Sequence, residues 1–381
     1  MRFTFTDEQE LLRRAVATFA AQELPPARLR ELDAQGLAPG PELLPKMAAL
    51  GFTALALPPD HGGLGGGAID MAVMFEELGR HSLAASAALA GATGFGCEVL
   101  KQQGSAAHKL DCFAKLLRGA WSCGYLAAGP GCDPDAGVAT ARTLPGGNGY
   151  LLDGKQLQVG GARDAPCLII AANDQADAQG LQLFAIDANA PGITWPAPQA
   201  GGLRGMATLH AVDFEAVHLA PGALLCTRDT AAATVQAALA HARRIEAASC
   251  LGCAQQAIDG AVRYAGERQQ FGQPIGKFQA ISHLLVDLQV EVDAARTLLY
   301  RAAWTADRGG DAATDSALAH LAASEALLNT TSQAMRVYGG YGLTLEFDIG
   351  RHFSDARWFV VGDGAVRSQR DLLARSMGLA G

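Results

Sequence analysis

Residues 264–279 read YAGERQQFGQPIGKFQ and lie between two long helical patterns. Tyr264 and Arg268 are one turn apart on a single helix face. Arg268 offers a planar fork of donors suited to a pyrophosphate. Phe271 and Phe278 offer flat apolar surface for an aromatic ring, and Gly272 and Pro274 turn the chain so that both helix ends face one ligand. Together these residues describe a clamp for something flat and anionic. The plainer alternative is a helix–turn–helix carrying a surface arginine. The stretch by itself leaves both readings open.

Outward from this stretch, alanine-rich helical patterns occupy roughly 229–267, 277–308, 311–338 and 364–377, with breaks at Gly272, Gly309-Gly310 and Gly339-Gly340. Upstream, residues 119–228 change character. Short apolar segments (121–127, 150–153, 168–172, 181–186 and 211–214) alternate with clusters of Gly, Pro, Asn and Asp, the pattern of a β-domain built as a small barrel or sandwich. Residues 1–118 return to helical spacing. Thr6-Asp7-Glu8-Gln9 forms a capping-box start, and Leu24-Pro25-Pro26 ends the first helix. The expected architecture is α+β and multidomain: an N-terminal helical domain (1–118), a central β-domain (119–228) and a C-terminal four-helix bundle (229–381).

The composition of the 381 residues, 49% apolar and 18% charged, is that of a folded chain rather than a disordered one. A net charge of −8 argues against nucleic acid as a partner, because phosphate attraction needs a basic face. The start, MRFTFTDEQE, has no apolar signal core, and no run approaches the roughly 20 apolar residues of a membrane span. The expectation is a cytoplasmic protein without a membrane partner. The eight cysteines are scattered. Cys250-Leu-Gly-Cys253 has no companion CxxC and reads as two small apolar residues one helical turn apart. The histidines form neither HxH nor HExxH, so no metal is expected.

Two further constellations bear on function. Val337-Tyr338-Gly339-Gly340-Tyr341-Gly342 has more glycine than a helix C-cap requires and lets a backbone approach a ligand closely. Ser354-Asp355-Ala356-Arg357 leads to Gly362-Asp363-Gly364 before the last helix. Asp363 is either an N-cap or a carboxylate free on a loop to take a proton.

These three elements, in this order and spacing, resemble the acyl-CoA dehydrogenase family. The opening stretch is similar to that family's Y-A-x-x-R-x-Q-F-G-x-P-I-x-x-F-Q signature. Leu57-Pro58-Pro59-Asp60-His61-Gly62-Gly63-Leu64-Gly65, Glu76-Glu77-Leu78-Gly79 and Phe214 to Pro221 extend the resemblance over nearly the whole chain. It implies a helical domain, a β-barrel and a four-helix bundle, assembled as a homo- or hetero-tetramer or a dimer. It implies FAD as cofactor, an acyl-CoA thioester oxidised to a trans-2-enoyl-CoA, and an electron-transfer flavoprotein as electron acceptor. Carried over by position, Arg268 would hold the FAD pyrophosphate of a neighbouring subunit. Phe271 would pack on that FAD, with Phe278 and Gln279 near its adenine end. Gln270, Arg336, Gly339, Gly340 and Gly364 fall on the cofactor side. Arg243 and Cys132 fall on the substrate side, and Asp363 stands where many members carry a catalytic glutamate.

The departures from the family pattern bear on mechanism. Y-E-G-T is replaced by Gly362-Asp363-Gly364-Ala365, whose carboxylate is one methylene shorter. Leu126-Ala127-Ala128-Gly129-Pro130-Gly131-Cys132-Asp133 stands for T-E-P-x-x-G-S-D, and Gln158-Val159-Gly160 for the flavin-contacting W-I-T/S. Arg336 begins the segment that the family writes Q-x-x-G-G. Three functional readings follow. The first is an active FAD acyl-CoA dehydrogenase with Asp363 as base. The second is a half-site subunit of a heteromeric, for example steroid-CoA, enzyme. The third is a flavin oxidase of the nitroalkane-oxidase type, which uses an aspartate at this position.

Overall fold

The computed structural model describes residues 4–127, 138–160, 165–196, 209–357, 359 and 365–379. The first helix, α1 (Asp7–Glu23), starts as its sequence requires. The Thr6 hydroxyl accepts from the Gln9 amide while the Gln9 side chain accepts from the Thr6 amide. Six more helices follow: α2 (Pro26–Ala34), α3 (Leu44–Ala49), α4 (Ala68–His81), α5 (Leu83–Thr93), α6 (Phe95–Gln103) and α7 (Ala106–Leu116). The N-terminus of α4 is capped from afar, its Ala68 and Ile69 amides donating to the Asp307 carboxylate. A carboxylate there satisfies orphan amides and complements the helix dipole. Leu83–Gln103 is long and apolar enough to cross a membrane by length and composition, contrary to the expectation from apolar runs. Here it breaks at Gly94 into α5 and α6, and most of it is buried inside the protein.

The central region is one curled sheet of eight strands: β1 (Cys123–Leu126), β2 (Ala139–Thr143), β3 (Tyr150–Gly160), β4 (Cys167–Asp174), β5 (Asp177–Asp187), β6 (Ile193–Thr194), β7 (Leu209–Leu219) and β8 (Leu224–Cys226). Its order is β6-β7-β3-β1-β4-β5-β8. The short strands β1 and β2 share one slot end to end, each antiparallel to β3 and parallel to β4. Strand β4 is apolar from Cys167 to Ala172 because both its faces are covered there. Leu168, Ile170 and Ala172 enter the sheet's own core with Phe184, Val212 and Phe214. Ile169 and Ala171 point the other way, into the core shared with the helices. Such two-sided burial is why the strand reads as a continuous apolar run rather than an alternation.

The C-terminal region is built from α8 (Arg228–Glu267), α9 (Gln279–Asp307), α10 (Ala313–Tyr338) and a last helix, α12 (Ala365–Ser376). These match the four expected helices to within two residues at each end. An eight-residue helix, α11 (Ile349–Ala356), lies between α10 and α12 and has no counterpart in the sequence reading. The 40-residue α8 packs on α4 without side-chain spacers. A Cβ on Gly252 would sit 1.9 Å from the Glu76 carbonyl oxygen, and one on Gly79 would sit 2.3 Å from that of Ser249. Cys250 and Cys253 are free and fully buried in this helix, the packing role expected of them. Glu76 ties α4 to α9 by accepting from Arg296 Nε at 2.7 Å and from the Tyr300 hydroxyl at 2.9 Å. One continuous core therefore contains side chains from α1 through α11 and from the outer face of the sheet.

Candidate functional site

Helix α8 ends at Arg268, whose amide donates to the Tyr264 carbonyl at 2.8 Å while its backbone has left the helical region. The chain then makes a tight hairpin, β9 (Gln269–Gln270) against β10 (Gln273–Pro274), with Gln273 opposite Gln270. The two turn residues, Phe271 and Gly272, have φ of +52° and +80°. Both positive values are what a two-residue type I′ turn demands. Glycine accepts them freely, whereas phenylalanine rarely does. The Phe271 ring is 93% exposed and meets Phe278 edge-to-face at 6.2 Å. Phe278 is the residue before α9, and Gln279, the first residue of that helix, is exposed. The hairpin thus holds a large aromatic ring out in solvent on a backbone that disfavours it, a marker of a contact surface.

Helix α10 delivers the second element. At its end Gly339 takes φ +59°, ψ −138°, a conformation that a side chain would oppose. The space around the missing side chains of Gly339 and Gly340 is open. This turn faces Arg268 across a cleft of about 480 Å³ lined by Tyr264, Arg268, Gln270, Tyr338, Gly339 and Gly340, with Ile275, Val337, Tyr341 and Thr344 completing the wall. The Tyr264 hydroxyl donates to the Tyr338 carbonyl at 3.4 Å, and their rings lie 4.6 Å apart. Phe347 closes the aromatic group from behind, 5.1 Å from Tyr338 and 5.5 Å from Tyr264. Burial pushes the Tyr338 phenol up to about 12, with Arg263 nearby drawing it down, so it is protonated at neutral pH. A cation at one end, aromatic faces along one wall and bare backbone along another suit a ligand that joins phosphate to a planar ring.

The structure therefore brings together Arg268, Gln270, Gly339 and Gly340, and sets Phe271, Phe278 and Gln279 just beyond, on the same hairpin and helix start. It does not bring Arg336 to the cleft. That side chain is exposed on α10 and donates to Gln333 Oε1 at 2.6 Å, because its helical position turns it from the wall that Val337 and Tyr338 form. Arg243 is buried in α8 at 5% exposure, away from this cleft. Its neighbour Arg244, also buried, donates to Ser316 Oγ at 2.9 Å, and His241 Nε2 lies 3.0 Å from the Thr93 carbonyl oxygen. Asp363, Gly364 and Cys132 lie outside the described residues, as do 128–131 and 362. Tyr341 as a cleft residue, and Phe347 as the ring behind the wall, are absent from the sequence reading. Tyr341 stands inside the glycine-rich motif and was findable there, whereas Phe347 has no local signal.

Residues 6–120 match the acyl-CoA dehydrogenase N-terminal domain, and residues 232–378 match the acyl-CoA dehydrogenase C-terminal domain. The chain is 30% identical over 381 residues to the probable acyl-CoA dehydrogenase YngJ of Bacillus subtilis (strain 168), covering 99% of this chain and 100% of that protein. Among solved structures, butyryl-CoA dehydrogenase from Megasphaera elsdenii superposes with a TM-score of 0.88 at 26% identity, covering 99% of this chain and 100% of that one. The FAD complex of PigA superposes with a TM-score of 0.89 at 25% identity, over 100% of both chains.

Proposed function

The chain belongs to the acyl-CoA dehydrogenase family, and from that membership we propose that it is an FAD-dependent oxidoreductase that converts an acyl-CoA thioester to a trans-2-enoyl-CoA. The observation that carries the reading is the meeting of Arg268 and the Gly339-Gly340 turn across one cleft. Two segments far apart in sequence supply the guanidinium and the bare backbone that a flavin dinucleotide needs. A solved relative of the same fold is an FAD complex, which supports the same cofactor here.

FAD held at Arg268 and the Gly339-Gly340 turn would supply the oxidising power, as a hydride acceptor. The protein's part is to orient the acyl chain and to remove the α-proton. That proton is weakly acidic, so a base must lie within hydrogen-bonding reach of it. Asp363 is the proposed base, one methylene shorter than the glutamate of the family motif and flanked in sequence by Gly362 and Gly364. Arg268 and Phe271 serve the flavin of an adjacent subunit. The ring's exposure and the open end of the cleft favour this arrangement, and with it a homo- or hetero-oligomer. An electron-transfer flavoprotein is the proposed acceptor that reoxidises the cofactor.

The test is a visible spectrum of the purified chain, followed by anaerobic titration with acyl-CoA thioesters of graded length. Flavin absorbance that bleaches with a thioester and not with free CoA is the expected result. A protein that gains flavin only when co-expressed with a homologous partner would overturn the homomeric enzyme. Asp363→Asn is expected to abolish exchange of the substrate α-proton while FAD stays bound. Unchanged exchange removes Asp363 from the reaction.

A further inference from the structure

Four of the chain's cysteines meet at one seam that the flavin site does not use. Cys97 lies on α6, Cys112 on α7, Cys123 on β1 and Cys167 on β4. Cys123 and Cys167 are direct register partners in the parallel β1–β4 pair. Register partners project from the same face of a sheet, and adjacent strands lie about 4.8 Å apart, inside the roughly 4.4–6.8 Å window of Cα separations that a disulfide spans. The Cys123 thiol donates to the Gly124 carbonyl at 2.8 Å.

The two partners differ in access. Cys123 is 2% exposed, and the α6 backbone seals it, since a Cβ on Gly96 would lie 2.4 Å from its sulfur. Cys167 is partly exposed at the start of β4. They differ in acidity too. Burial raises Cys97 and Cys112 to about 12 and raises Cys123 as well. Cys167 alone among the described cysteines is drawn below its ordinary value, by the neighbouring Cys123 thiol and, more weakly, by Lys115, against burial and the Asp187 carboxylate. A thiolate, not a thiol, is the nucleophile in sulfur oxidation.

We infer that Cys167 and Cys123 form an oxidisable thiol pair, in which Cys167 reacts with a hydroperoxide and Cys123 resolves the product as an intrachain disulfide. The Cys167 thiolate attacks the peroxide, forming an S–O bond as the O–O bond breaks and an alcohol or water leaves. The Cys123 sulfur then attacks the Cys167 sulfenic acid, forming the S–S bond as the S–O bond breaks and its oxygen leaves as water with the Cys123 proton. Overall two thiols and one hydroperoxide give one disulfide, one alcohol and one water. The bond staples β1 to β4 three residues upstream of Leu126, where the chain enters the segment 126–133 that stands for the family's T-E-P-x-x-G-S-D.

The full-length protein, treated with hydrogen peroxide, is alkylated with N-ethylmaleimide and digested without reductant for mass spectrometry. The expected product is a linked pair of peptides carrying Cys123 and Cys167, short of two hydrogens and separated by dithiothreitol. Cys112→Ser is expected to form it unchanged, and Cys123→Ala to leave Cys167 as a dimedone-reactive sulfenic acid. A Cys112–Cys167 link, a sulfinic acid without any linked pair, or full alkylation of both thiols after peroxide would each overturn the assignment. The wild-type measurement decides the question even if a variant folds poorly.

Discussion

The Arg268 guanidinium carbon lies 5.4 Å from the centroid of the Tyr341 ring, so the cation at the end of α8 is held over an aromatic face supplied by the turn after α10. That contact fixes the fork across the cleft before a ligand arrives, and cation–π contacts at partly exposed sites contribute about 0.5–1 kcal/mol. Replacing Arg268 with Ala removes both the preorganised cation and its hydrogen bonds to an anion. Flavin affinity is expected to fall by about tenfold or more, the equivalent of about 1.4 kcal/mol. Arg268→Lys keeps the charge without the planar fork and is expected to recover only part of it. Flavin retained per chain after gel filtration measures both, and equal retention in wild type and Arg268→Ala would sink the assignment.

Phe271 sets stability against function. A left-handed conformation costs a side chain on the order of 1 kcal/mol, and asparagine adopts it more readily. Phe271→Asn is expected to raise the unfolding free energy of the flavin-free chain by up to about 1 kcal/mol while lowering flavin affinity. Thermal unfolding with and without added FAD checks both halves. A variant that is more stable and binds flavin as well as wild type would show that the exposed ring has no cofactor role.

The crossing of α4 and α8 tolerates no side chain at Gly252. Its added methyl would meet the Glu76 backbone at 1.9 Å, and a helix backbone does not rotate aside as a flexible side chain can. Overpacking of this kind costs about 1–3 kcal/mol. Gly252→Ala should lower the urea midpoint accordingly, and an unchanged midpoint would mean that the helices move apart without penalty.

Asp355 and His352 make opposing contributions to pH dependence at the foot of α11. Burial pushes the Asp355 carboxyl up to about 7, with Arg351 opposing and Asp33 adding to the shift. The unfolded chain releases this proton near the ordinary 3.8, so between about 4 and 7 stability falls as pH rises, by about 1.4 kcal/mol per unit. Burial, aided by Arg351, pushes His352 down to about 3, against Asp348, from an ordinary 6.5. Its contribution is present above 6.5 and is lost as pH falls toward 3. Asp355→Asn should therefore gain stability relative to wild type as pH rises from 4 to 7, and hold a constant difference above that. Denaturation at several pH values measures the difference, and a difference that does not vary with pH refutes the burial of a proton at Asp355.

Much of this was legible in the sequence because it depends on local rules. The Thr6 capping box, the glycine break after Tyr338 and the chain reversal at Gly272 each follow from the residues themselves. The α8–α10 helices kept a strong enough period to be placed to within two residues. What escaped depends on distant partners. Strands β2, β6 and β8 run for only two to five residues and are defined by their pairing. Helix α11 is short and begins at a residue without a side-chain cap. Arg336 was assigned to the cofactor by its place in a motif, but one residue along a helix is about 100° of rotation, and that turns it away from the cleft.

The 40 residues of α8 span about 60 Å at 1.5 Å per residue. The helix leaves the sheet at one end, carries Arg268 at the other, and is gripped between them by α4, α9 and α10. The clamp is therefore registered on the deepest part of the molecule rather than on a surface loop. Amides in the middle of α8 should exchange with deuterated solvent only when the whole chain unfolds. A substitution in that core, far from any ligand, reaches the cofactor site as an error of alignment, because the arginine moves with the rod that bears it.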